Sequence, residues 1–284
     1  MASRDLDPVV QRMINRVQPF ENVKKATDSA RKTGFKSINF DLIYGLPRQT
    51  IHSIAFTIEK ILLLKPDRIA FYSYAHVPWV SKAQRLFDEG DLPGPEEKIN
   101  LYLYGKSMLL KAGYADIGMD HFALPHDDLY KAWSSGKLHR NFMGYTTSQS
   151  DVLLGLGVSA ISDAGNGYAQ NTKSLHDYYS QIEGGNPAVW KGYELDAIDA
   201  SFKKYILDIT CKGYTNFRKE HNDLLEEFVF PELAVYEKDG LLEKTVNGIQ
   251  LTTQGHYFIR TIASAFDLHL HGQHQTRTLF SKSI

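Results

Sequence analysis

From Ile38 to Tyr44 the chain alternates. Ile38, Phe40, Leu42 and Tyr44 fall on one face of an extended segment, and Asn39, Asp41 and Ile43 on the other. The loop Gly45-Leu46-Pro47-Arg48-Gln49-Thr50 follows, after which Ile51, Ile54, Ala55, Ile58, Ile61 and Leu62 recur at helical spacing. Thr50 is of the type that caps the free amides of a helix start. Lys65-Pro66-Asp67 ends the helix, because proline cannot continue it, and a second extended run covers 68–75. Parallel strands need a crossover of a dozen or more residues, which this helix supplies. The segment therefore predicts a βαβ unit and an α/β fold.

Asp41 is out of place in a strand covered on both faces, where a carboxylate must be paired or solvated. Barrel strands carry ligand-facing polar residues toward their carboxyl ends, and Asp41 lies near that end. Two readings stand: a ligand contact, or a partner for a neighbouring loop or arginine. Two strands do not close a barrel, and the chain opens on helices. Asp7 caps one that begins with Pro8, and another covers about 23–32 and stops near Gly34. The expectation is the trailing part of a larger fold, whose open strand edges invite association.

Further on, Pro93-Gly94 marks a turn, and Pro95, Glu96 and Glu97 suit the first turn of a helix reaching about Ala112. Residues 114–119 read as a strand that delivers Asp120 and His121 to its carboxyl end, as site residues or as partners of the next loop. The segment from His139 to Thr147 reads as too polar for a regular element. Arg140, between His139 and Asn141, suits a carboxylate, and Tyr145, Thr146 and Thr147 add hydroxyls. Leu153 to Ser162 turns apolar around Gly155 and Gly157, where a ligand or another backbone could approach. This region is either an anion-binding loop beside a glycine-containing strand or a surface loop over a sheet edge.

From about Glu194 the pattern changes to helices over 196–211, 223–228 and 231–238. A hairpin of 242–246 and 249–252 follows around Asn247-Gly248, then a helix over 254–266. Helices followed by a small hairpin describe a winged-helix-like domain, a fold that often binds DNA. Between Trp190 and Ile284, however, 11 basic residues face 13 acidic ones, so no nucleic-acid partner is expected. The whole chain, 284 residues with a net charge of −1, has no broad electrostatic draw toward nucleic acid or anionic membrane. No apolar run approaches the roughly 20 residues of a membrane span, and Arg4, Asp5 and Asp7 interrupt any signal-peptide pattern. Cys211 is the single cysteine, which permits no internal disulfide and agrees with a reducing cytoplasm, the expected location. It lies in a helical pattern with Ile206, Leu207 and Ile209, as a buried inert thiol would. His76, before Val77-Pro78, is either a site residue or a loop hydrogen-bonder. His269-x-His271-x-x-His274 has metal-ligand spacing, but in a polar tail without cysteine, and no metal site is expected there.

Three stretches carry a resemblance: Gly118-Met119-Asp120-His121-Phe122-Ala123, Leu138 to Thr147, and Leu156-Gly157-Val158-Ser159-Ala160-Ile161-Ser162. With Asp5 to Gln11, Asn39 to Pro47 and Tyr74-Ala75-His76, they resemble the oxygen-independent coproporphyrinogen III oxidases of the radical S-adenosylmethionine superfamily. Related heme chaperones share the Asp41-to-Pro47 type of strand. They typically have Tyr-Glu-Ile-Ser-Asn where this chain has Ile117-Gly118-Met119-Asp120-His121, so the middle block favours the oxidase branch.

The resemblance implies oxidative decarboxylation of two propionates of coproporphyrinogen III to vinyl groups, giving protoporphyrinogen IX in heme biosynthesis. It implies S-adenosylmethionine and a 4Fe-4S cluster as cofactors. By position, Arg16 and Asp41 match cofactor contacts, and Ala75 and Ile161 match backbone or packing contacts to it. His139, Arg140 and Tyr145 are the candidate substrate contacts. The departures are large. The family's Cys-x-x-x-Cys-x-x-Cys loop is absent, as are its first barrel strands, and Arg4 stands where a glutamine is usual. The cluster is therefore not expected to bind this chain alone. The expected architecture is a partial radical-SAM barrel over 1–190 and a winged-helix-like domain over 191–284. The chain is expected to be inactive alone. Alternatives are a non-catalytic porphyrin- or heme-binding module and a subunit completed in trans by a separately encoded amino-terminal half.

Overall fold

The computed structural model describes residues 5–79 and 82–271. These fall into two compact units that divide after Lys131.

The first unit opens with α1 (Pro8–Met13), whose start is capped by the Asp7 carboxylate accepting from the amides of Val9 and Val10. Helix α2 (Phe20–Lys32) begins three residues earlier than the periodicity predicts and ends at Gly34, whose φ of +93° suits glycine. Strand β1 (Asn39–Tyr44), helix α3 (Ile51–Leu63) and strand β2 (Arg68–Ser73) form the expected βαβ unit, with β1 and β2 parallel from Asn39↔Arg68 to Tyr44↔Ser73. Thr50 and Ser53 close a reciprocal capping box at the start of α3. Helix α4 (Pro95–Lys111) follows, then β3 (Ala115–Gly118), β4 (His121–Ala123) and α5 (Asp128–Ser134), within which the units divide.

One sheet results, in the order β1-β2-β4-β3. Phe40, Leu42, Tyr44, Ile69, Phe71 and Phe122 are buried on one face beneath Ile54, Ile58 and Ile61 of α3 and Leu101 and Leu109 of α4. Each such side chain contributes about 1.5–3 kcal/mol on burial. Gly105 lets α4 sit this close: a Cβ there would lie 2.6 Å from the Phe71 ring. The alternation in β1 thus has its physical cause, since its apolar residues face the helices and Asn39, Asp41 and Ile43 face away, half-buried.

The turn after β3 departs from expectation. Residues 114–119 do not end by presenting Asp120 and His121 at a strand terminus. Met119 and Asp120 take left-handed backbone (φ 42° and 69°) and reverse the chain into β4, which runs antiparallel to both β3 and β2. The Asp120 carbonyl accepts from the Phe71 amide at 2.7 Å, which pins the turn to β2.

In the second unit, β5 (His139–Asn141) and β6 (Gly144–Thr146) form a hairpin where an irregular segment was expected. Strands β7 (Ile161–Asp163) and β8 (Gly167–Asn171) pair antiparallel, helix α6 (Leu175–Glu183) crosses over, and β9 (Val189–Glu194) returns beside β8. Gly155 admits the close backbone approach anticipated for it, because a Cβ would meet the Ile161 carbonyl carbon at 2.7 Å. The expected boundary at 190/191 falls within β9, at the bulge where its pairing with β8 shifts register between Gln170 and Asn171.

Helix α7 (Ala197–Lys212) is boxed at its start by Asp196 and Asp199 and ends at Gly213, φ +77°. Strand β10 (Tyr214–Asn216) precedes α8 (Asn222–Leu224), which runs through a π turn at Leu225–Val229 into α9 (Phe230–Lys238). The hairpin β11 (Leu242–Lys244) and β12 (Gly248–Leu251) turns at Val246-Asn247, one residue before the Asn247-Gly248 turn that the sequence indicates: the Thr245 amide donates to the Gly248 carbonyl and Gly248 already pairs with Asn216 of β10, which completes a sheet in the order β10-β12-β11. Helices α10 (Ile259–Ser264) and α11 (Leu268–His271) close the described chain. None of the described helices is long and apolar enough to cross a membrane.

Candidate functional site

The face of the first unit's sheet opposite α3 and α4 is built by strand register. Asp41 pairs with Ala70, which in turn pairs with His121, so these three side chains form one row across β1, β2 and β4. Ala70 separates the carboxylate from the imidazole by two strand spacings, about 10 Å. Ile43 and Tyr72 form the next row toward the carboxyl ends of the parallel strands. The Asp41 carboxylate accepts from the Asn39 amide at 2.8 Å, and the Tyr72 hydroxyl lies 3.5 Å from His121 Nε2. His121 Nδ1 lies 2.8 Å from the Met119 carbonyl, so Nδ1 carries the proton and Nε2 faces Tyr72 as an acceptor. That face thereby presents a carboxylate, a phenol and an imidazole in addition to Asn39 and Arg68, a set able to bind hydroxyl and amino groups.

Arg16 follows α1, half-buried, with its amide donating to the Gln11 carbonyl. Ala75 lies just beyond β2, and its carbonyl accepts from the Gln84 side chain at 3.1 Å. His76 stands beside Tyr74 and Phe87, with its Nδ1 3.4 Å from the Tyr74 hydroxyl. It is thereby a loop hydrogen-bonder in an aromatic cluster. Arg16, Asp41 and Ala75 belong to the first unit and Ile161, in β7, to the second.

In the second unit the β5–β6 register sets Arg140 opposite Tyr145, and the guanidinium lies 5.5 Å from the centre of that ring. The Tyr145 hydroxyl donates to the Thr210 carbonyl, anchoring the hairpin to α7. His139 is held below its ordinary pKa by burial and by nearby Lys203, which favours the neutral ring. Arg140, Asn141 and Phe142 line a cleft of about 590 Å³ with Asp163, Tyr168, Tyr193, Asp199, Lys203 and His269.

Sequence reasoning missed Tyr72 and the cleft. Tyr72 shares the register of Asp41, a signal available once β1 and β2 are paired. The cleft's polar groups come from four separate segments and left no local signal. Cys211 is buried in α7, and burial pushes its thiol above the usual range. His274 lies outside the described residues. His269 and His271 are engaged by Asp199 and by the Ala265 carbonyl, and among the described residues no three His, Cys, Asp or Glu are grouped to hold a metal.

No family model matches the chain. A solved structure matches it with a TM-score of 0.88 and 40% identity over 95% of this chain and 63% of its own: coproporphyrinogen III oxidase (HemN) from Escherichia coli, described as a radical SAM enzyme. The mixed α/β architecture is thus that of part of a radical SAM fold. Curated relatives narrow the class. The oxygen-independent coproporphyrinogen III oxidases of Escherichia coli K12, Helicobacter pylori J99 and Pseudomonas aeruginosa are 41%, 39% and 37% identical, over 95%, 97% and 99% of this chain. The chain is a relative of the oxygen-independent coproporphyrinogen III oxidases. It spans 60–62% of the length of these three proteins.

Proposed function

We propose that this chain contributes cofactor- and substrate-binding walls to oxygen-independent coproporphyrinogen III oxidation, the conversion of two propionates to vinyl groups on the way to heme. The observation that carries the reading is the 41% identity to an enzyme of that name across 95% of the chain. The polar row on β1, β2 and β4 gives it a physical basis. Asp41 suits the ribose hydroxyls or the amine of S-adenosylmethionine. Arg16 suits the cofactor's carboxylate, and Ala75 offers a backbone contact. S-adenosylmethionine, when bound, supplies the radical precursor. His139, Arg140 and Tyr145 are assigned to the substrate, with the guanidinium as the group for a propionate.

The 4Fe-4S cluster does not fit the residues present. It needs three thiolates, and the sequence offers one cysteine whose thiol is buried and held neutral. No radical step is assigned to these residues alone. The arrangement of the first unit as part of a barrel and of residues from about 191 as a winged-helix-like domain belongs to the same proposal, as does a cytoplasmic location. The test is anaerobic assay of the purified chain with coproporphyrinogen III, S-adenosylmethionine and reductant. The chain alone should form no protoporphyrinogen IX, and a chimera joining it to the part of the Escherichia coli relative that it does not cover should form it. Turnover by the chain alone refutes the cysteine argument.

A further inference from the structure

Helix α4 places a charge where the parallel strands of the first unit end. Lys98, in the first turn of the helix, lays its stem across Gly45, the residue after β1. A Cβ at Gly45 would lie 2.7 Å from Lys98 Cε and 3.1 Å from its Cδ and Cγ, so the lysine runs along bare backbone. The φ of +82° at Gly45 suits glycine as well. Lys98 Nζ donates to the Tyr74 carbonyl at 2.9 Å, just beyond β2. The Tyr74 amide in turn donates to the Tyr44 carbonyl at 2.8 Å. One side chain thus spans the carboxyl ends of β1 and β2. Gln84 holds the next stretch: its side-chain amide donates to the Ala75 carbonyl at 3.1 Å, and its side-chain oxygen accepts from the Val77 amide. Between the two clamps, the Ala75 N–H makes no hydrogen bond among the described residues.

Lys98 is a poor choice for stability alone. It is half-buried, burial holds its pKa below the ordinary range, and among the described residues no carboxylate pairs with it. An ammonium in that setting is desolvated without an opposite charge to offset the cost. Methionine would fill the same channel with no charge to desolvate. What the lysine adds is a charged donor fixed on one backbone carbonyl. The geometry points to Lys98 as a positioning residue: it fixes the Tyr74–Ala75 peptide so that the Ala75 N–H is presented, at the carboxyl end of β2, to an acceptor atom of a bound ligand. This step rests on the function proposed above, in which Ala75 offers a backbone contact to S-adenosylmethionine. On that reading Lys98 sets cofactor affinity through Ala75.

The test compares the full chain with Lys98→Met and Lys98→Arg by urea titration, by amide ¹⁵N relaxation and by calorimetric titration with S-adenosylmethionine. Lys98→Met should be at least as stable as wild type. Its Ala75 amide should loosen, the order parameter falling from about 0.85 to below about 0.6. S-adenosylmethionine should bind it at least about tenfold more weakly, and Lys98→Arg should restore part of the affinity. A structural role alone predicts the reverse, a loss of stability with unchanged affinity in the folded protein. A Lys98→Met chain that unfolds or is markedly destabilised therefore overturns the inference. So does an Ala75 amide as rigid as in wild type, or S-adenosylmethionine bound equally by both. A loosened Ala75 amide in a protein whose wild type binds no S-adenosylmethionine upholds the positioning of the peptide and removes the cofactor reading on which this step rests.

Discussion

Asp5 ties the start of the described chain to α3, and its ionisation should set a pH dependence opposite to that of most carboxylates. The side chain is 3% exposed and accepts from the Asp7 amide at 2.7 Å, the Gln49 amide at 2.6 Å and the Thr57 hydroxyl at 3.0 Å. Burial raises its pKa from 3.8 to about 6 against the pull of those donors. The folded state therefore binds this proton more tightly than the unfolded chain. The stabilisation is fully present below pH 3.8 and is lost as pH rises through about 6. A rise of about two units, at roughly 1.4 kcal/mol each, is about 3 kcal/mol, most of which disappears between pH 4 and 7. Asp5→Asn removes the titration while other groups titrate alike in both proteins. Amide exchange at Ile54, Ile58 and Ile61 of α3 reads the opening free energy locally. Wild type should lose about 2–3 kcal/mol relative to the variant from pH 4 to pH 7. A gap that stays flat, or grows with pH, refutes the reasoning.

Three further outcomes follow from the packing. Asp67 accepts from Arg31, His126 and the Ile38 amide; despite burial, which raises its pKa, these bonds hold it below the usual range. Its stabilisation is present above the ordinary carboxylate pKa and lost as pH falls through the depressed one, and Asp67→Ala should lower the first unit's stability by about 3 kcal/mol in urea titration at pH 7. Gly155→Ala should cost about 1–3 kcal/mol and reduce exchange protection of β7 and β8, since the backbone of Ile161 must shift. The Cys211 thiol should react with a disulfide reagent at least a hundredfold more slowly in native chain than in urea, because burial raises its pKa and hides it.

The parts of the fold that sequence made legible are those fixed by local chemistry. The alternation of β1 and the Thr50 cap each depend on a few neighbouring residues, and each stands as read. The β3–β4 reversal was hidden because, after Gly118 at φ +116°, its two left-handed turn positions are Met119 and Asp120, residue types that seldom mark such a turn. The β5–β6 hairpin was hidden because His139, Arg140 and Asn141 are all polar, so neither face shows the period of two. At the candidate site, Asp41 stood out as a carboxylate in an apolar strand. Its row partner His121 required the register of three strands.

The most direct test of the central claim is the rate of protoporphyrinogen IX formation by the chimera with Asp41 intact and with Asp41→Ala, each with S-adenosylmethionine, reductant and a loaded cluster. The account predicts turnover by the first and a loss of at least a hundredfold, about 2.7 kcal/mol, in the second. A loaded, folded chimera with no turnover, or an Asp41→Ala variant as fast as its parent, contradicts it.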